Sequence, residues 1–330
     1  RAGILDTLQD LGRYGLQHLG INPGGAMDRL AMQVANCLTG NDLNETVLEM
    51  YFPAPEISFN EDAVIAITGA DFSPVINHAP IPVLHPVLVK KGSVLKFEKL
   101  VKGNCCYLSV RGGLEAANWY GSNSTSLKAG RGGFQGRSLK KDDTLLLKES
   151  SGKIPLPADT DHLVLHWSAA NEMTPEEPEV IYVLEGNEFE TLDRDAVDKF
   201  MNDEFTISSQ SDRMGYRLFG SDLDRTVDEE LVSSPVSFGT IQLLPNGQLI
   251  ILMADHQTTG GYPRIAHVAA VHHSKLAQKR AGDKIQFHFI DYISAENQFL
   301  NRLQELQLLQ EACRLKLEER LYHDENKEFY

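Results

Sequence analysis

Residues 239–263, GTIQLLPNGQLIILMADHQTTGGYP, decide the fold. The runs 240–244 and 248–253 are short and rich in Ile, Leu and Thr, and Pro245-Asn246-Gly247 stands between them. Asn-Gly between apolar runs favours a tight hairpin, because both residues tolerate positive φ. The second strand then delivers Asp255, His256, Gln257, Thr258, Thr259 and Gly260 in succession. Polar groups at the mouth of a buried strand must find partners, and a ligand pocket supplies them. A polar turn closed by an Asx cap is the other reading. On the first reading Asp255 is a general base or orients a nucleophile, and Gln242, Gln257 and Thr258 hydrogen-bond an amide or ureido group.

The same texture extends in both directions. β-Branched or aromatic runs closed by Gly, Pro, Asn or Asp predict strands at 63–68, 82–89, 94–98, 106–110, 144–148, 179–184, 266–271 and 284–290. Lys90-Lys91-Gly92 reads as a hairpin turn between two of them. Helices are few. Asp28 can cap a helix over 29–38 that Thr39-Gly40-Asn41 stops. One long helix is expected over 294–321, with Phe299, Leu303, Leu306, Cys313 and Leu317 as an apolar stripe that packs on its parent domain. A Ser/Gly/Pro/Asp-rich stretch at 150–161 predicts a boundary. The expected division is therefore 1–155, 156–293 and a C-terminal helix and tail at 294–330, with 323–330 solvated.

Composition sets limits on function. A chain of 330 residues with 42% apolar and 23% charged residues can bury two cores. Its net charge of -15 leaves no basic footprint for phosphates, so no nucleic-acid partner is expected. No apolar run reaches the length of a membrane span and no basic-then-apolar leader is visible, which predicts a cytoplasmic protein without a membrane partner. Cys37, Cys105, Cys106 and Cys313 form no CxxC pair and read as buried, reduced thiols. The histidines at 256, 267, 272 and 273 do not follow a zinc spacing, and no metal site is expected.

Three further clusters carry two readings each. Thr7–Gly15 and Pro23–Asp28 hold tight-turning glycines around Asp10 and Arg13, either as a salt bridge with Asp28 as a helix cap, or as a loop that holds a charged substrate. Arg111-Gly112-Gly113, the 121–125 string and the glycine-rich 130–137 string can present an anion site or simply a surface loop. Neither a P-loop nor a dinucleotide fingerprint is present. In 211–218, SDRMGYRL, alternation would set Arg213 and Arg217 on one face, for a carboxylate, a phosphate or nearby acids. No nucleophile elbow can be read.

In this order, the clusters resemble the KipA-like family, which includes the C subunit of 5-oxoprolinase, allophanate hydrolase subunit 2 and the second half of the biotin-dependent carboxyltransferase region of urea carboxylase. The resemblance runs through 7–15, 23–28, Gly69-Ala70-Asp71, 132–139, DRMGYRL at 212–218, 239–242, 255–263, Leu276-Ala277-Gln278 and Gly282-Asp283, to about residue 290. It implies a mainly β fold of two β-rich domains, the C-terminal one a cyclophilin-like β-barrel, followed by the long helix. It also implies one part of an enzyme that opens the lactam 5-oxoproline to glutamate with ATP, the ATP shared with or bound by a partner. The implied partners are a KipI-like protein (the B subunit of 5-oxoprolinase) and a LamB/YcsF-like protein (its A subunit). Two alternatives accompany it: a subunit that moves a carboxyl group from biotin to a urea- or amide-type substrate, and a regulatory protein that antagonises a kinase inhibitor. No lysine sits in a Met-Lys-Met context, so biotin would arrive on another chain. Together the residues and the resemblance nominate Asp255, Gln257 and Asp10 as catalytic. They nominate Arg13, Asp28, Arg213, Arg217, Gln242, Thr258, Gly260, Gly261 and Tyr262 as substrate-binding. Asn123, His256 and His272 depart from the family pattern, which usually shows Arg, Arg and Asp there.

Overall fold

The computed structural model describes residues 1–150, 156–157, 159–169, 180–226 and 231–322. Part of the expected boundary stretch (151–155 and 158), the expected strand start at Glu179 and the tail 323–330 lie outside the described residues. The chain forms two compact units, one of Arg1–Gly12, Asp28–Glu172 and Leu303–Tyr330, the other of Arg13–Met27 and Met173–Arg302. This differs from the boundaries expected near 155 and 293 in two ways. The glycine-bearing Arg13–Met27 segment goes with the second unit, and the end of the long helix returns to the first.

The first unit contains β1 (Asp6–Gln9), α1 (Arg29–Thr39), β2 (Val47–Tyr51), β3 (Ile57–Ser58), β4 (Ala63–Asp71), β5 (Pro74–Ile76) and β6 (Ala79–Pro80). It continues with β7 (Pro86–Val89), β8 (Val94–Phe97), β9 (Lys102–Val110) and β10 (His162–Val164). One sheet has the order β1-β2-β9-β4-β7-β10 and a second the order β3-β8-β5-β6. The run at β4 is apolar at successive positions because both of its faces are covered. Ile65 and Ile67 enter a core with Leu8, Leu48, Val87, Val89 and Leu108. Val64 and Ala66 point the other way, to Leu38, Leu88, Leu165, Cys313 and Leu317. Lys90–Gly92 is a turn, with Ser93 N donating to Lys90 O, but it is not a hairpin: β7 and β8 belong to different sheets. The expected strand at 144–148 reduces to one bridge, Leu114 to Leu147.

α1 starts as expected, with Asp28 Oδ1 accepting from Ala31 N at 3.0 Å, and stops at Gly40. It is bonded to the sheet beneath: Thr68 Oγ1 donates to Ala31 O at 2.6 Å, and Ser109 Oγ donates to Asn36 Oδ1 at 2.7 Å.

The second unit is a closed barrel. Its strands are β11 (Val180–Glu185), β12 (Phe205–Ile207), β13 (Gly215–Phe219), β15 (Thr240–Leu243), β16 (Leu249–Leu252), β18 (Arg264–Val268) and β19 (Lys284–Phe289). A separate ribbon pairs β14 (Ser234–Pro235) with β17 (Thr259–Gly260). The barrel order is β11-β18-β15-β16-β13-β12-β19, and a parallel pairing of β11 with β19 closes it. Closure removes the unpaired edges that an open sheet leaves. The β15–β16 hairpin forms as expected, although of the two turn residues only Gly247 takes positive φ, at 79°. Helix α2 (Arg194–Asn202) stacks Phe200 on Phe287 of β19 at 4.8 Å. A short helix, α3 (His273–Ala277), follows β18.

The last helix, α4 (Tyr292–Tyr322), carries Leu306, Cys313 and Leu317 buried, and Cys313 and Leu317 pack in the first unit's helix-side core. Phe299 and Leu303, expected in the same stripe, are 41% and 38% exposed. The four cysteines are buried thiols outside any disulfide. Burial pushes the Cys37 thiol up to about 12 and that of Cys313 to about 11. Among the described residues no helix is long and apolar enough to cross a membrane.

Candidate functional site

The nominated residues separate into distinct groups. Asp10 follows β1 in the first unit and is 2% exposed. Its carboxylate accepts from Ser122 Oγ at 2.7 Å, Asn123 N at 2.6 Å, Gly12 N at 2.8 Å and Ser124 Oγ. Ser124 Oγ in turn accepts from Asp10 N at 2.9 Å. A carboxylate surrounded by four donors is a clasp between β1 and the 121–125 loop, which leaves it poorly placed for proton abstraction. Asp28, also in the first unit, is 1% exposed and caps α1, while its N–H donates to Tyr107 Oη at 2.7 Å. The glycine-rich 130–137 string is a folded loop. Its Arg137 donates to both oxygens of Asp143 at 2.6 and 2.9 Å, an ion pair that holds the carboxyl at about 2.

In the second unit a first group surrounds Asp255. Arg213 Nε and Nη2 donate to its two oxygens at 2.8 and 3.3 Å, and Arg213 Nη2 also donates to Gly25 O at 2.6 Å. The backbone repeats the link, with Asp255 N donating to Arg213 O at 2.7 Å. Gly24 has φ +61°, where a side chain is strained, and a Cβ there would start 3.0 Å from Arg13 Nη1 and 3.8 Å from Asp255 Oδ1, so glycine lets the Pro23–Gly25 turn lie against both without strain. Arg13, the Pro23–Gly25 turn and Asp255 thus meet within this unit, and Asp255 stands there as the partner of a buried arginine. The expectation that Arg213 and Arg217 share a face fails. A turn at Asp212, whose Oδ1 accepts from Met214 N at 2.7 Å, precedes β13 and breaks the alternation.

Arg217 belongs to a second group. An open cleft of about 340 Å³ is lined by Arg217, Gln242, Leu244, Pro245, Asn246, Ile250, Gln257 and Tyr262. Barrel register explains it: Arg217 of β13 and Gln242 of β15 both lie opposite Ile250 of β16. These three neighbours form one row, and Tyr216, Leu218, Ile241 and Leu243, which alternate with them, are buried. A bulge between Ile241 and Gln242, against β18, re-aims Gln242 at this point.

The 257–262 loop contributes Gln257 and Tyr262 to the same cleft. It is fixed by the β14–β17 pairing and by Val236 N donating to Thr258 O at 3.2 Å. Gln242 is 1% exposed because the loop lies over it, with Gln242 Nε2 donating to Tyr262 O at 3.4 Å. A Cβ on Gly260 would fall 2.5 Å from Gln242 Nε2, which is the physical reason for glycine there. Gly261 continues the loop, and Tyr262 is 46% exposed at the rim.

The histidines are held in the barrel by hydrogen bonds. His256 Nδ1 contacts Gln257 O, His267 Nδ1 lies 3.2 Å from Thr240 Oγ1, and His273 Nε2 lies 3.1 Å from Val268 O. His272 Nδ1 accepts from Tyr182 N at 2.8 Å and its ring stacks on Tyr182 at 4.5 Å. Burial, then Lys275 and Arg302, hold its ring down at about 4.

The reading of the residues missed Leu244, Pro245, Asn246 and Ile250 as cleft lining. The hairpin register held the signal, since a turn at 245–247 sets Gln242 opposite Ile250. It also missed the Arg264–Glu188 pair, 2.7 Å from Nη2 to Oε1, which ties β18 to the segment after β11.

The carboxyltransferase domain family, subdomains A and B, matches residues 19–289. The chain is 34% identical to the C subunit of 5-oxoprolinase from Haemophilus influenzae over 325 residues, 97% of this chain and 94% of that protein. It is 38% identical to the C subunit of 5-oxoprolinase from Escherichia coli over 287 residues, 87% of this chain and 89% of that one. The crystal structure of Kluyveromyces lactis urea amidolyase superposes with a TM-score of 0.84 at 27% identity, covering 93% of this chain but 19% of that much longer chain.

Proposed function

Because the chain belongs to the carboxyltransferase-domain family of subdomains A and B, we propose that it is one subunit of an ATP-dependent 5-oxoprolinase, an enzyme complex that opens the lactam 5-oxoproline to glutamate. One observation carries this reading. The chain runs nearly end to end with the 5-oxoprolinase C subunits, 94% and 89% of their lengths, and with only 19% of the urea amidolyase chain. A match over nearly the whole length of two such subunits supports the same role for this chain.

The chemistry of the described residues supports a divided enzyme. The cleft offers Gln242 and Gln257, side chains that both donate to and accept from an N–C=O group. The chain has no P-loop, and in its glycine-rich 130–137 loop Arg137 is committed to Asp143. ATP therefore fits a partner better than this chain. The KipI-like and LamB/YcsF-like subunits are the proposed partners. When ATP is bound there, it supplies the activation of a carboxyl or lactam oxygen; this chain holds and orients the amide.

The likeness to urea amidolyase favours a second reading, transfer of a carboxyl group to a urea-type substrate from biotin carried on another chain. Co-expression with the two partners, affinity capture through a tag on this chain and substrate competition distinguish the readings. A co-purifying complex that consumes 5-oxoproline, and that excess urea with bicarbonate does not inhibit, supports the lactamase. A complex that is inert to 5-oxoproline but moves the carboxyl group of a carboxybiotin-bearing carrier to urea, releasing free biotinyl carrier, supports the second reading.

A further inference from the structure

The row Arg217–Ile250–Gln242 has a chemistry that the 5-oxoprolinase reading does not by itself assign. Adjacent strands lie about 4.8 Å apart, so the outer two residues of the row are roughly 10 Å apart at their Cα atoms, with Ile250 between them. At one end is a guanidinium. Arg217 is exposed, and among the described residues it makes no ion pair and the lining of its cleft contains no acid. In a chain of net charge -15 such an arginine stands out, since carboxylates are plentiful and none of the described ones pairs with it. At the other end is Gln242, 1% exposed, whose Nε2 donates one long hydrogen bond to Tyr262 O and whose Oε1 accepts none among the described residues. A buried carboxamide with an open acceptor facing a cleft is a place for an N–H donor from a ligand. Gln257 lines the same cleft and carries a donor for the matching C=O.

Resting on the lactamase reading, we propose that this row measures the substrate. Arg217 binds the carboxylate of the lactam acid through its planar fork, Ile250 carries the ring methylenes, and Gln242 with Gln257 holds the lactam N–H and C=O. The ligand class is a small cyclic amide that bears a carboxylate a few bonds from the amide. Arg217 is then a specificity residue: it separates 5-oxoproline from urea and other neutral amides, which offer nothing to a guanidinium. A bidentate Arg–carboxylate pair is geometric as well as charged, so lysine replaces it only in part.

The test compares 5-oxoproline with 2-pyrrolidinone, the same lactam without the carboxylate, in the reconstituted complex carrying wild-type chain, Arg217→Gln or Arg217→Lys. Arg217→Gln is expected to raise KM for 5-oxoproline roughly 10- to 100-fold, more than it lowers kcat, and to leave 2-pyrrolidinone kinetics where they were. Arg217→Lys should fall between the two, and thermal melts should coincide. Undiminished preference for the acid in Arg217→Gln overturns the proposal while the lactamase reading stands. Saturation-transfer NMR on the isolated full chain with each of the two lactams gives an independent readout. If the complex opens no lactam, the functional reading falls, and binding of 5-oxoproline that Arg217→Gln abolishes still supports the row. Binding that is absent, or indifferent to Arg217, overturns it.

Discussion

Asp10→Ala strands two serine hydroxyls and two backbone N–H groups that now converge on one buried carboxylate. Loss of charge-assisted hydrogen bonds with their donors left buried costs about 2–4 kcal/mol. Thermal or urea unfolding of that variant should show the loss, and an unchanged midpoint would mean that the clasp is not structural. Asp255 and Gln257 divide differently. Asp255→Asn removes a charged partner from Arg213, 8% exposed, and should lower stability by about 1–3 kcal/mol. Gln257→Ala, on an exposed loop position, should leave the melt within about 0.5 kcal/mol and reduce turnover. Turnover assays run beside the melts decide whether Asp255 acts in the chemistry or only through Arg213.

His272 makes the pH dependence specific. Its Nδ1 accepts a backbone N–H, a role open only to the neutral ring, and burial holds the folded ring down at about 4 against the ordinary value of 6.5. The folded state therefore refuses a proton that the unfolded state takes up. The stability from this group is fully present above pH 6.5 and is lost as the pH falls toward 4, by ~2 kcal/mol after allowance for its partial exposure. His272→Asn keeps an acceptor without the titration. Unfolding free energies at pH 7.5 and 5 should converge in that variant relative to wild type; equal pH dependence in both would mean that His272 does not set it.

At the scale of elements, local signals were legible where local physics decides. The 240–252 hairpin and the Asp28-capped helix were readable because a turn and a cap are chosen by a few adjacent residues. The Lys90–Gly92 turn was misread because a turn is local but pairing is not: β7 and β8 flank it and join different sheets. The 144–148 run has strand-like composition, yet only Leu147 finds a bridge partner. Helix α4 was visible from its spacing, but its buried half was not. Leu306, Cys313 and Leu317 are covered and Phe299 and Leu303 are not, because what covers the helix is remote in sequence. Cys37 Sγ lies 3.7 Å from Leu306 O, joining α1 to α4 across 269 residues. Leu317, fully buried beside Leu38 and Trp167, supplies the element's test. Leu317→Ala should cost about 2–5 kcal/mol and render Cys37 and Cys313 reactive to a thiol reagent, which the native fold withholds from both. Retention of full protection with an unchanged melt would show that α4 is only loosely held.

At the scale of the molecule, the candidate site was half legible. Arg217, Gln242, Gln257 and Tyr262 were nominated from residue type and do line one cleft, while Asp10 and Asp28 were nominated with them and serve as a clasp and a cap in the other unit. A sequence displays polar residues next to glycines but not which strand lies beside which. Barrel register sorts one kind from the other. On the function proposed above, this chain is an indispensable part of a lactam-opening complex. The most direct measurement follows isotopically labelled 5-oxoproline by NMR with ATP and both partner proteins, with this chain present and omitted. Labelled glutamate is expected at a steady rate in the complete mixture and at least a hundredfold less, on the order of a lost catalytic group, when the chain is left out. Equal rates with and without it, or no glutamate from the complete mixture, would contradict the claim.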